Sequence, residues 1–150
     1  MTHSDDRSAA IALSRRILAL ARQHDHAGLL AIDADPETER LLGSSSEELA
    51  KAASVYLRGA RAWRRKREDA NLRRLEEARV AIDGFDIARA KSLLLRIEDD
   101  YLTPEGSSLR DGVLLDLEAR SMESESLQAS ADQIIVEHLP RWKRWLKRRR

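Results

Sequence analysis

The sequence contains no cysteine. Disulfides and thiolate metal sites are therefore excluded, and the composition suits a reducing compartment. Glycine and proline are sparse, six and three in 150 residues, so little interrupts regular structure. Aromatic residues make up only 4% of the chain, which leaves Trp63, Trp142 and Trp145 conspicuous. No apolar run approaches the roughly 20 residues that a membrane-spanning helix needs. The opening Met1-Thr2-His3-Ser4-Asp5-Asp6 is acidic and leads into no continuous apolar segment, so no secretory signal peptide is expected. These features together predict a cytoplasmic protein. Alternating runs of β-branched residues are missing too, and the pattern therefore supports an all-α fold.

Charge is what the chain has in excess. Charged residues reach 35%, against about 25% in an average domain. Ala, Leu, Arg and Glu dominate, and these lose least on entering a helix. The net charge of +1 is unevenly placed. Residues 141–150 carry seven Lys/Arg and no acid, so the first 140 residues sum to −6. The length predicts one helical domain over 1–139, followed by a basic tail over 140–150.

Helix signals recur along the chain. Ser4 with Asp5 and Asp6 opens a helix whose apolar face is Ala10, Leu13, Ile17, Leu20 and Ala21. His24-Asp25-His26 and Gly28 end or kink it, before a short apolar segment over 29–32. Asp35-Pro36 restarts a helix that closes at Gly43. Ser44 and Ser45, each three residues before a glutamate, form overlapping capping boxes. From there Leu49, Ala53, Tyr56, Ala60 and Trp63 make one stripe on a helix that can run to Asp83, with a break or bend favoured near Asp69-Ala70-Asn71. Its alternating spacing also fits the seam of a homodimeric coiled coil. Leu72, Leu75, Ala78 and Ile82 lead to Gly84, which supplies a left-handed helix end. Asp86 then caps a helix to about Leu102. Thr103-Pro104-Glu105-Gly106 reads as a loop. A further helix runs from Ser107 or Ser108 to Met122, and the polar, Ser-rich stretch over 123–132 reads either as a bend or as an exposed helical stretch.

Asn71 to Ile97, with paired helices, the Gly84 turn and Ala90 at the close approach, resembles a tetratricopeptide-type helical hairpin. The resemblance implies a short stack of antiparallel hairpins; a compact helical bundle fits the same pattern.

Candidate chemistry is thin. His24 and His26 stand two apart, whereas metal-binding pairs on a helix stand three or four apart. No Glu-x-x-His pair, Gly-x-Ser-x-Gly elbow or phosphate loop occurs. No cofactor and no enzymatic activity are expected. Two basic segments stand out instead. Residues 58–67 include Trp63, Arg64, Arg65 and Arg67, and their charges ring the helix. Residues 139–150 as a helix place Leu139, Trp142, Trp145 and Leu146 on one stripe, flanked by Lys143, Arg144, Lys147 and Arg148. Such a helix suits three surfaces: a protein partner, nucleic-acid phosphates, or an anionic membrane interface. The expected function is a non-enzymatic adaptor with a basic amphipathic tail. The alternatives are a nucleic-acid-binding protein using both basic segments, or a peripheral membrane binder. A pI of about 8.1 sits below the range of dedicated nucleic-acid binders.

Overall fold

The computed structural model describes the backbone of residues 3–138 and the side chains of residues 4–130. Among the described residues the fold is all-α. The helices are α1 His3–Arg22, α2 His26–Asp33, α3 Pro36–Gly43, α4 Glu48–Asp83, α5 Ile87–Leu94 and α6 Pro104–His138, with a 3₁₀ turn at Asp99–Tyr101. No helix among the described residues is long and apolar enough to cross a membrane. The chain divides into two compact units, Met1–Arg67 and Glu68–Arg150. That division falls inside α4, at a place the reading of one domain over 1–139 does not mark.

The first unit is built on α1. Its acids Asp5 and Asp6 lie in the first turn and Arg22 in the last, each matching the helix dipole. Ala10, Ser14 and Ile17 are buried, and the Ser14 hydroxyl donates back to the Ala10 carbonyl at 2.7 Å. Ile17 joins Leu29, Ile32, Leu42, Ala50, Ala53, Leu57 and Ala60 in one core. Fully burying an aliphatic side chain such as Ile17 or Leu57 stabilises by about 1.5–3 kcal/mol. The buried stripe of α4 is thus 50, 53, 57 and 60. It differs from the stripe expected from sequence, for Tyr56 is 48% exposed. The residues 50, 53, 57 and 60 are taken up in the core of the unit.

Two turns share one design. His24 holds φ 55°, the Asp25 N–H donates to Leu20 O and the His24 N–H to Ala21 O. Phe85 holds φ 58°, with Asp86 N–H to Ala81 O and Phe85 N–H to Ile82 O. Both are helix ends closed by a left-handed residue. The residue after each is an aspartate that caps an eight-residue helix: Asp25 accepts from the Gly28 amide and Asp86 from the Arg89 amide. The left-handed position expected at Gly84 therefore falls one residue later, on Phe85.

Other differences have clear causes. Helix α4 does not break at 69–71; it is continuous over 36 residues, about 54 Å at 1.5 Å per residue. Asn71 is fully buried, and its amide bonds to a distant segment, so it does not compete for its own helix backbone. That same segment is why α5 stops at Leu94 and not near Leu102. The capping boxes do not form. Ser44 donates back to Arg40 O at the end of α3, and Ser45 accepts from the Glu47 amide. Thr103-Pro104 is not a loop but the start of α6: the Thr103 hydroxyl accepts from the Gly106 amide, with Pro104 in the first turn. The Ser-rich stretch after Met122 is helical.

The second unit packs Ala78, Ala81, Ile82, Ala90 and Val113 together, with Leu93, Leu94, Leu109 and Leu117 against them. Gly106 leaves room for the segment just before α6: a Cβ there would lie 3.2 Å from Leu102 Cδ2 and 3.3 Å from Thr103 Oγ1, while Leu72 Cδ2 of α4, at 3.6 Å, would be in ordinary contact.

Candidate interaction surface

Helices α5 and α6 carry more leucine than their shared core uses. Ala90 and Val113 are buried, whereas Leu95 is 86%, Leu115 68% and Leu114 45% exposed. Between the two helices lies an open hollow of about 350 Å³, lined by Leu94, Leu95, Leu114 and Leu117 with Lys91 at its rim. The position matters because α2 and α5 follow identical turns. The residue that ends α2 is Asp33, which accepts two 2.6 Å hydrogen bonds from Arg61. The residue that ends α5, 61 positions on, is Leu94. Where the first unit has an ion pair, the second has an apolar surface. Clustered exposed apolar side chains of this kind mark interaction sites, while single exposed leucines do not.

The loop beneath this surface is held firmly. Asn71 Nδ2 donates to Glu98 O at 2.9 Å and to Tyr101 O at 3.0 Å. The Glu98 amide donates to Asn71 Oδ1 at 3.1 Å, and Arg74 donates to Arg96 O at 3.0 Å. Four backbone groups of 96–101 are thereby satisfied by two side chains of α4.

The basic segment of α4 lies differently from its sequence reading. Trp63 is half-buried, and its ring stacks on His26 with centroids 4.4 Å apart and planes 11° off parallel. The Arg67 guanidinium lies 4.4 Å from the centre of the Trp63 ring. Arg61 is committed to Asp33, whose hydrogen bonds raise its pKa further above the ordinary arginine value. Trp63 and Arg67 thus meet within the first unit, while Arg64, Arg65 and Lys66 are exposed. His24 is exposed and His26 is under Trp63, so the two do not form a pair of ligands. Among the described residues no group of three or more His, Cys, Asp or Glu is placed to hold a metal ion. Trp142, Lys143, Arg144, Trp145, Lys147 and Arg148 lie outside the described residues.

Sequence reasoning missed the leucine face. The signal is there: Leu93-Leu94-Leu95 and Val113-Leu114-Leu115 place apolar residues at neighbouring positions, which one helix cannot turn toward a single core. No protein-family model matches the chain, and no curated protein or solved structure does either.

Proposed function

We propose that the chain is a non-enzymatic α-helical adaptor of the cytoplasm. The leucine face of α5 and α6 docks a protein segment, and the basic C-terminal tail contacts an anionic partner. The observation that carries this reading is Leu95, 86% exposed at the edge of the hollow it lines with Leu94, Leu114 and Leu117. Four leucines and one lysine accept apolar side chains and offer no acid–base pair. The firm seating of the 96–101 segment favours docking on a preformed surface, which lowers the ordering cost of association.

Nucleic acid bound through 58–67 and 141–150 is the rival. Two of the cations it needs are already engaged, Arg61 by Asp33 and Arg67 by the Trp63 ring. The test compares proteins recovered by the full chain, by Leu95→Glu, and by Arg64→Glu with Arg65→Glu. Partners lost with Leu95→Glu and kept by the arginine variant support the adaptor. The reverse, with RNA or DNA binding that falls steeply with salt, supports the rival.

A further inference from the structure

We infer that the hollow between α5 and α6 takes an apolar protein segment that carries a carboxylate beside its apolar residues, and that this carboxylate pairs with Lys91. This rests on the adaptor reading and names the chemistry of its partner. Four leucines line the hollow, and among the described residues Lys91 is the one charged side chain lining it. Lys91 stands three and four positions before Leu94 and Leu95, so the three share a side of the helix. It is exposed, and among the described residues its ammonium makes no ion pair. The two arginines of α6 differ, for Arg110 is held by Asp99 and Asp111 and Arg120 by Glu123. A cation in the last turn of α5 suits the helix dipole wherever it points. The first unit shows what is particular about this one. There Leu30 stands three residues before Asp33, the end of α2, and packs against its core. At the matching place before Leu94, Lys91 lies outside the core of the second unit.

Charge decides among the occupants. Residues 141–150 of the chain carry seven Lys/Arg and no acid, so seated here they would set like charge against Lys91. An anionic membrane fits no better. Asp116 and Glu118, on either side of Leu117 in sequence, are exposed, and a negative sheet laid over the hollow would meet them as well. A protein segment can place a single carboxylate over Lys91 and keep it clear of those acids. The form that suits an open hollow between two helices is a third helix, with apolar residues three or four apart and the acid within a turn of them. Apolar burial supplies the affinity. The pair with Lys91 sets orientation and selects against basic segments.

A phage-displayed library of random peptides, panned on the full chain and counter-selected on full-length Leu95→Glu, tests this. The variant keeps the basic tail, so peptides held by the tail alone drop out. Leu95 is 86% exposed and outside the core, so its replacement spares the fold. The expected survivors carry apolar residues three or four apart with Asp or Glu within one turn. In fluorescence anisotropy, replacing that acid with Lys weakens binding by about threefold or more, and Lys91→Glu restores the loss. The restoration also shows that Lys91→Glu is folded. Vesicles of phosphatidylserine and phosphatidylcholine are run in parallel. Survivors without an acid, or with a base in its place, overturn the acidic partner and leave the leucine face a docking surface. An affinity for both peptides that Lys91→Glu does not change has the same meaning. No survivors, or vesicle binding that Leu95→Glu abolishes, overturns the proposal too. The adaptor reading then rests on its own test, the foreign partners lost with Leu95→Glu.

Discussion

Asn71 and Glu98 are paired as residues on neighbouring strands would be, although one contributes only its side chain. Asn71 Nδ2 donates to Glu98 O at 2.9 Å, and the Glu98 amide donates to Asn71 Oδ1 at 3.1 Å. The side chain is fully buried, so water does not compete for these bonds. Asn71→Ala leaves the Glu98 and Tyr101 carbonyls and the Glu98 amide without their partner. The expected cost is about 2–4 kcal/mol in urea unfolding, in line with stranding buried polar groups. Hydrogen exchange at the Glu98 amide is the sharper readout: its protection should fall while that of the α1 amides is kept.

Gly28 sits under the aspartate that caps its own helix. A Cβ there would lie 2.6 Å from Asp25 Oδ2 and 3.2 Å from Leu20 Cδ2. Gly28→Ala gains helix propensity but must displace the cap. Loss of a cap costs about 1 kcal/mol or more. The net expected result is a lowered Tm, with Asp25→Ala having a similar effect and the two together adding little. Thermal unfolding of the three variants checks this.

Trp63 contributes packing inside the first unit. It stacks on His26 and carries Arg67 on its ring. Aromatic stacking contributes about 0.5–1.5 kcal/mol beyond burial. Trp63→Ala should therefore destabilise the isolated protein in urea, with no partner present. A double-mutant cycle with Arg67→Ala should return a coupling of about 0.5–1 kcal/mol.

Glu37 gives the fold a pH signature. A hydrogen bond from Arg40 holds its carboxyl below the usual glutamate range, and Arg40 also bonds Asp6 of α1. A carboxyl whose folded pKa is depressed contributes its stability above the unfolded pKa and loses it as pH falls through the folded one. The carboxyl resonance of Glu37 should titrate below that of a model glutamate, and Arg40→Ala should bring it back up.

The fold was legible because apolar spacing and capping residues agree along most of the chain. Asp35-Pro36 and Asp86 announce helix starts that the structure has. The sequence is silent on Asn71, since a capping-type residue inside a helical stripe reads as a break unless its distant partner is known. The segment it holds is 27 residues away. Trp63 and Arg67 were prominent in the sequence as an exposed basic face. Their meeting with each other follows from a spacing of four on one helix, whereas the stacking of Trp63 on His26 depends on how α2 packs on α4, which no local pattern encodes. The leucine face was written in the doubled apolar positions of α5 and α6, legible only once it is clear how little of each helix the core takes.

The central claim, that this leucine face is a binding surface, is tested most directly by photo-crosslinking in the native cell. A photoreactive residue replaces Leu95 in one chain and Ala12, exposed on α1, in another. Discrete protein adducts are expected from position 95, lost when Leu114→Glu is added, and none from position 12. Equal labelling from both positions, or labelling from neither, would contradict it.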